Sequence, residues 1–423
     1  MIRRPVIHTM GRRCRNWDYC CDAVYMITLT LADRKRPLLG RLEIASGQEW
    51  PGATHPGASA PFPGQEWPGV THPAAGAPFP GQEWLGATHP ATEVAPARFR
   101  AGIVPSPLGQ VVESLWRRMG EFTPEIKPLA LQLMPEHLHG ILWVRRYMRK
   151  PLGMAIRGFK AGASKAAAEM GAIAAGSSLF APGFVDNILF DKPTYERALA
   201  YLADNPRRLA IKRLRPELFR VLRDIHVPWR GVSGGGQFAA IGNHFLLQRP
   251  SLLQIQCSRA DFAYRRERDA RGRPTLVRGL DGGKVVGKTT PAFEEQCAEL
   301  LAAAAHGAVL VSPCISDGER EIAARAFAAG HSVITLSNKG FSPLYKPGGQ
   351  LFEKCAAGNL LMLAPLAWPY LPGEKRMTRA DAQVLNRIAQ LLCGDGAAAI
   401  NYRGILAADV ETLVAQAVGT PSA

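Results

Sequence analysis

The stretch MPEHLHGILWV, residues 134–144, decides the fold of the first part of this 423-residue chain. Side chains two apart on an extended strand project from the same face, so His137 and His139 share a face while Leu138 points into the opposite layer. Two imidazoles on one face can bind one divalent cation. The stretch therefore predicts a strand that presents two metal ligands.

A second motif, YLADNP, lies downstream at residues 201–206. Tyr201 and Asn205 are four residues apart, which on a helix places a phenol beside an amide oxygen. A phenol with an ordinary pKa near 10 is a weak nucleophile at neutral pH, and a divalent ion aids its attack by offsetting the charge of the phosphate. Two histidines that bind one cation, together with an adjacent tyrosine, are the smallest set of groups needed to attack a phosphodiester.

These motifs resemble those of the single-tyrosine HUH transposases, especially the REP-associated tyrosine transposases. Residues 135–139 are similar to that family's Pro-(Asn/Glu)-His-hydrophobic-His motif, and residues 201–206 are similar to its Tyr-Ile-x-x-Asn-Pro motif. GFVDNI at residues 183–188 is similar to Gly-(Tyr/Phe)-x-Asp-Arg-Ile, with Asn187 where the family has arginine. The resemblance spans residues 22–220.

The resemblance implies a ferredoxin-like α+β domain, which is an antiparallel sheet with helices on one face. It also implies that Tyr201 is the catalytic nucleophile and that His137, His139 and Asn205 bind Mg²⁺ or Mn²⁺. The expected activity is that of a transposase or nuclease that cleaves and rejoins single-stranded or hairpin DNA through a 5′-phosphotyrosine. Many members of this family are homodimers, although nothing in this sequence fixes the oligomeric state.

The basic residues near the tyrosine motif are candidate DNA contacts. Lys160, Arg207 and Arg208 could each bind a phosphate, and solvated charges on helix surfaces would give the same sequence. The 51 lysines and arginines exceed the 35 aspartates and glutamates, and the resulting charge of +16 favours a polyanionic partner. Coding bias towards arginine produces the same sign. A non-catalytic DNA-binding descendant of the transposases therefore remains an alternative.

A repeat interrupts the first domain. Gly-Gln-Glu-Trp begins at residues 47, 64 and 81, with a period of 17 residues. Units this rich in proline and glycine bury no core, so residues 46–95 are predicted to be a disordered surface insert. The tryptophans and histidines of the repeat leave a stacking or metal-binding array open as the alternative. A basic tail, residues 1–21, precedes the domain.

The second half of the chain is predicted to be a linker and an α/β domain. Residues 221–285 are assigned to the linker because RGVSGGG at 230–236 favours flexibility and the stretch from Arg259 to Arg273 is strongly basic. Phe262 and Tyr264 within that stretch could stack on unpaired bases. Residues 286–423 alternate helix and strand, which predicts a Rossmann-like domain with a parallel sheet and helices on both faces.

This last domain resembles the Rossmann-type domain of the DNA-processing protein A (Smf) group at SPCISDGER, residues 312–320. The segment is predicted to run from a strand into a helix, where open α/β sheets bind ligands and helix amides favour an anion. No Gly-rich dinucleotide motif or phosphate loop accompanies it. An anion-binding turn and a purely structural turn both remain open, and a nucleotide- or anion-binding function of this domain is the second alternative.

The tyrosine helix is predicted over residues 194–204. Thr194 is the predicted N-cap, and Pro206 is expected to prevent continuation beyond Asn205. Arg207 and Arg208 would then follow the helix.

The sequence also predicts a cytoplasmic protein without membrane contact. The amino terminus lacks the apolar core of a signal peptide, and prolines interrupt the longest apolar runs. The eight cysteines contain no Cys-x-x-Cys pair, which favours reduced thiols over disulfides or zinc ligands.

Overall fold

The computed structural model describes residues 17–45, 100–257, 262–263, 266–268, 274–276, 288–342, 345–371, 377–394 and 407–419. The predicted insert, most of the basic tail, and Arg259, Tyr264, Arg265, Arg271 and Arg273 of the basic stretch lie outside these residues. The chain divides into two compact units, with the boundary of the described residues between Arg213 and Leu214.

The first unit has an antiparallel sheet at its centre. In chain order its elements are β1 (Ala23–Thr30), β2 (Gly40–Ala45), β3 (Arg100–Pro105), α1 (Pro107–Arg117), α2 (Met119–Phe122), β4 (Ile126–Leu133), β5 (His137–Val144), α3 (Leu152–Glu169), β6 (Val185–Leu189) and α4 (Lys192–Leu214). Four strands form one sheet in the order β4-β5-β1-β6, and every neighbouring pair is antiparallel. Strands β2 and β3 form a separate pair.

Helices cover both faces of this sheet. Helices α1 and α3 pack against one face through Val112, Trp116 and Phe159. Helix α4 packs against the opposite face through Ala198 and Leu202. The expectation of helices on one face therefore holds for α1 and α3 only. The reason is that the central strands carry apolar side chains on both faces, so both faces need a cover.

Gly140 lets α1 approach the sheet closely. A Cβ atom at this position would lie 2.1 Å from the ring of Trp116. The fully buried Trp116 occupies that space and also contacts Phe159 of α3 at 5.3 Å between ring centroids. The glycine after the two histidines thus belongs to the packing of the face opposite to them.

Helix α4 is longer than the sequence predicted, because it continues through Pro206 to Leu214. Its first turn is capped by Asp191, whose carboxylate accepts a hydrogen bond from the backbone N–H of Thr194 at 2.7 Å, so Thr194 is not the N-cap. Leu202, Pro206 and Ala210 are buried at four-residue spacing. Burial of this stripe outweighs the hydrogen bond that the proline cannot donate.

The second unit contains a mixed six-stranded sheet. Its elements are β7 (Leu222–Pro228), β8 (Gly235–Gly242), β9 (Leu252–Gln254), β10 (Phe262–Ala263), β11 (Arg266–Arg268), β12 (Pro274–Leu276), β13 (Lys288–Thr289), α5 (Pro291–Ala305), β14 (Val309–Ser312), α6 (Asp317–Ala328), β15 (Val333–Leu336), α7 (Gly349–Ala356), β16 (Leu360–Pro365), α8 (Arg379–Cys393) and α9 (Ala407–Val418). The sheet order is β7-β8-β16-β15-β14-β9.

Strands β9, β14, β15 and β16 are parallel, with helices between them, which fits the predicted Rossmann-like arrangement. Helices α5 and α6 pack on one face through Phe293 and Ile322, and α8 and α9 pack on the other through Leu385 and Val414. Strand β8 is antiparallel to β16, so the sheet is mixed rather than parallel throughout.

The first part of the predicted linker is folded. Strands β7, β8 and β9 all belong to the six-stranded sheet. Residues 230–234 of RGVSGGG lie in the turn between β7 and β8, in which the N–H of Trp229 donates to the carbonyl of Gly234 at 3.0 Å, and its last two glycines begin β8. Gly231 and Gly234 have positive φ angles, so these glycines permit a tight turn rather than a flexible connection.

Candidate metal and tyrosine site

The two histidines lie on the face of the sheet that α4 covers. His139 pairs with Thr28 of β1, and His137 pairs with Thr30 at the end of the same strand. Leu138 belongs to the core on the opposite face, as the strand alternation predicted. The ring of Tyr201, on α4, contacts the ring of His139 at 5.5 Å between centroids and at 70°. The structure therefore brings His137, His139 and Tyr201 together.

The imidazoles point their Nε2 atoms at each other across 3.1 Å. The Nδ1 atom of His139 lies 2.8 Å from the hydroxyl oxygen of Thr28, and that of His137 lies 3.3 Å from a carboxylate oxygen of Glu136. When both Nδ1 atoms carry the ring proton, each has an acceptor, and both Nε2 atoms carry a lone pair; with the other tautomer of one ring, the same contact is an N–H···N hydrogen bond. Partners of this kind fix ring orientation in metal-binding histidines.

This arrangement fits a divalent cation. Two ligand atoms at right angles, each about 2.1 Å from an ion, lie about 3.0 Å apart. The observed separation is 3.1 Å. Burial and the neighbouring His137 lower the pKa of His139 to about 3, so this imidazole is neutral at ordinary pH, as a metal ligand must be.

Within the described part of the chain, no group of three or more His, Cys, Asp or Glu side chains is arranged to hold a metal. Asn205, the predicted third ligand, is buried on α4 and its Nδ2 donates to the carbonyl of Tyr201 at 2.8 Å. Its amide oxygen is the donor atom that the prediction requires.

Tyr201 lies in a largely buried environment with one arginine and one aspartate nearby. Burial raises the pKa of its phenol, whereas the guanidinium of Arg208 and a hydrogen bond with Asn205 lower that pKa. The Cζ atom of Arg208 lies 5.8 Å from the centroid of the Tyr201 ring. The ring of Tyr201 therefore contacts one imidazole and one guanidinium, and the Asp204 carboxylate opposes the effect of that guanidinium on the pKa of the phenol.

Asp204 holds the two arginines that were predicted to contact DNA. Its carboxylate accepts hydrogen bonds from Nε of Arg207 at 2.5 Å and from Nε of Arg208 at 2.6 Å. Both arginines lie within α4 rather than after it. Arg208 also approaches the ring of Tyr201.

Lys160 lies away from this group. It belongs to α3, which packs on the opposite face of the sheet, and its Nζ donates to the carbonyls of Ala181 and Gly183. Asp186 of the third motif also faces that side, where its carboxylate accepts a hydrogen bond from Tyr19 at 2.8 Å. Asn187 pairs with Met26 on the α4 side. The motif therefore contributes to both faces of β6.

The sequence analysis did not identify Thr28 as a partner of the histidine pair, and it included Glu136 in the motif without giving it a role. Glu136 adjoins His137, so a carboxylate next to the pair was visible in the sequence. Thr28 lies 111 residues from His139, and only the register of β1 against β5 brings them together. The alternating apolar pattern of β1 carries no information about that register.

The turn after β14 in the second unit is closed by its own side chain. Glu319 is buried, and its carboxylate accepts hydrogen bonds from the hydroxyl of Ser312 at 3.1 Å and from the backbone N–H of Ile315 at 2.9 Å. Ser316 and Glu319 form a reciprocal cap at the start of α6. The carboxylate occupies the amides that an external anion would use, which supports the structural interpretation of this turn.

No protein-family model matches the sequence, and no curated protein matches it. Among solved structures, DNA processing protein A from Helicobacter pylori, reported for its single-stranded DNA binding mode, matches at 16% identity and a TM-score of 0.26. The match covers 41% of this chain and 66% of that chain, which is slightly less than two thirds of its length. So low a TM-score does not establish a shared fold.

One general property of the fold concerns membranes. In the ranges that the structure describes, no helix has both the length and the apolar character needed to cross a bilayer.

Proposed function

We propose that the first unit cleaves and rejoins DNA strands with Tyr201 as the nucleophile and a divalent cation as the cofactor. The contact of the Tyr201 ring with His139, whose Nε2 faces that of His137 at 3.1 Å, carries this proposal. The strand order β4-β5-β1-β6, with α1 and α3 in the two connections, supports a ferredoxin-like domain. The single-stranded or hairpin DNA substrate rests on the resemblance of the motifs.

The proposed ligands are His137, His139 and the amide oxygen of Asn205. A cation bound there would supply positive charge to the phosphate oxygens during attack. Two nitrogen ligands with amide and phosphate oxygens suit Mn²⁺, and Mg²⁺ prefers a set with more oxygens.

The remaining chemistry belongs to the protein's own side chains. The phenolic oxygen of Tyr201 bonds to phosphorus, the bond from phosphorus to the 3′-oxygen breaks, and that oxygen takes up a proton. The phenol loses its own proton to solvent. Arg208 is placed to hold the phosphate against the ring that it already contacts. A 3′-hydroxyl from another strand can reverse the attack, because the phosphotyrosine replaces one ester bond with another.

The test is the formation of a covalent complex between protein and DNA. A pool of hairpin oligonucleotides with random flanks, incubated with Mn²⁺, should give an adduct that survives denaturing electrophoresis. We expect Tyr201→Phe to abolish it, because the variant has no phenolic oxygen. Tyr195→Phe is the matched control, since Tyr195 is a buried tyrosine on the same helix. No adduct with the wild type, or an undiminished one with Tyr201→Phe, would refute the proposal.

A further inference from the structure

The first unit has a groove between α2 and the start of α3, at the opposite end of the sheet from the histidines. Its volume is about 760 Å³. Strand β5 runs from His137 to Val144, and the chain immediately after it borders the groove. At about 3.3 Å per residue, this end lies about 23 Å from the start of β5. The groove is therefore separate from the candidate metal and tyrosine site.

Two cations line one wall of this groove. Arg149 and Lys150 line it on the α3 side and are exposed. On the α2 side, the Cζ atom of Arg118 lies 5.9 Å from the centroid of the Phe122 ring, and its guanidinium is paired with Glu121 at 2.8 Å. Glu125 also lines the groove and is half-buried. The exposed Arg145 and Arg146 extend the positive surface beyond the end of β5.

The groove also presents apolar surface. Phe122 is 73% exposed and Met154 is 44% exposed, although both are large apolar residues. Below them, Met119, Met148 and Phe159 form a buried floor. Exposed apolar side chains grouped in a groove indicate a binding surface more than scattered ones do.

We propose that this groove binds single-stranded nucleic acid, with the cations contacting phosphates and the ring of Phe122 stacking on a base. Surfaces for single strands combine a cationic track with an exposed aromatic platform, and a wall with Arg149 and Lys150 beside the exposed ring of Phe122 meets that description. The occupant must be an anion with flat apolar groups. An acidic amphipathic helix shares the charge, but it would need the apolar surface to be continuous rather than interrupted by Arg149 and Lys150 on the groove wall.

The test measures the binding of a fluorescein-labelled oligothymidylate by anisotropy in EDTA at several salt concentrations. Because EDTA prevents metal-dependent cleavage, the result does not depend on the proposed catalytic function. For Arg149→Ala/Lys150→Ala, we expect the slope of log affinity against log salt to fall by about 1.4, since each phosphate contact on a single strand contributes about 0.7. For Phe122→Ala, we expect about tenfold weaker binding through loss of stacking.

The matched control is Arg220→Ala/Arg223→Ala, which removes two exposed arginines from the second unit. The proposal predicts that this control keeps the wild-type slope. Equal slopes and affinities for the wild type and both groove variants would overturn the proposal. So would binding of an acidic amphipathic peptide that the groove variants lose while their oligonucleotide binding stays unchanged.

Discussion

Each unit contains a polar cluster: the second unit has the cluster around Glu319, and the first unit has the pair of His137 and His139. The two clusters differ in how their hydrogen-bonding groups find partners. In the second unit, the carboxylate of Glu319 meets the Ser312 hydroxyl and the turn amides, so donors and acceptor match within the chain. In the first unit, the Nδ1 atoms of His137 and His139 have partners, but the two Nε2 atoms face only each other among the bonds described.

The difference separates stability from function. A buried cluster that is complete within the chain stabilises the fold, and removing one member leaves others without a partner. In the proposed site, a cation replaces the proton that the two facing Nε2 atoms can share. The comparison therefore predicts that the Glu319 cluster contributes mainly to folding and the histidine pair mainly to ligand binding.

The largest expected effect follows removal of Glu319. We expect Glu319→Ala to lower the free energy of unfolding of the second unit by about 3 kcal/mol, because several buried donors lose their acceptor. Urea unfolding, with hydrogen exchange of the α6 amides, measures this. Glu295→Ala, at an exposed position on α5, should change the same quantity by less than about 0.5 kcal/mol. A loss no larger than that of the control would remove the contrast between the clusters.

The next largest effect concerns metal-dependent stability in the first unit. At a Mn²⁺ concentration about one hundred times the Kd, the wild type should gain about 2.7 kcal/mol. We expect His139→Leu to gain nothing from Mn²⁺, while its metal-free stability stays within about 1 kcal/mol of the wild type, since leucine fills a buried site with apolar atoms. Thermal unfolding with and without Mn²⁺ measures both quantities.

His306→Gln is the control for this comparison, because it removes an exposed histidine from the second unit. Its gain from Mn²⁺ should equal that of the wild type. If His139→Leu kept the full gain, the histidine pair would not be the metal site.

Local patterns predicted the elements better than the contacts between them. The alternation in residues 137–144 placed both histidines on one face, and the four-residue spacing placed Tyr201 and Asn205 on adjacent turns of one helix. In contrast, a local rule about Pro206 predicted that α4 ends at Asp204. The buried stripe of Leu202 and Ala210 overrides that rule, and the sequence alone does not reveal what packs against a helix.

Contacts that depend on register or on close approach were not predictable. Glycine is needed at position 140 because the ring of Trp116, on another element, occupies the space of a side chain. The hydrogen bond between Thr28 and His139 depends on the pairing of β1 with β5. The turn at residues 312–320 left two interpretations open, because the inward position of the Glu319 side chain is a property of the folded turn. The catalytic and metal roles remain predictions.

The smallest effect tests whether the Thr28 hydroxyl belongs to the histidine cluster. This hydroxyl can accept from the Nδ1–H of His139 or donate to the unprotonated nitrogen, so it supports either ring tautomer. We expect Thr28→Val to weaken Mn²⁺ binding about tenfold, equivalent to about 1.4 kcal/mol, because the imidazole loses the partner that orients it. Titration calorimetry with Mn²⁺ gives the affinity directly.

Two further variants separate orientation of the imidazole from a merely structural role of Thr28. Thr28→Ser keeps the hydroxyl and should restore the wild-type Kd. Thr30→Val removes a hydroxyl from the same face of β1 without altering the bond between Thr28 and His139, so it should leave the Kd unchanged. If Thr28→Val lowered the free energy of unfolding but bound Mn²⁺ as tightly as the wild type, Thr28 would resemble the groups around Glu319. In that case only the two imidazoles, and not Thr28, would differ in role from the Glu319 cluster.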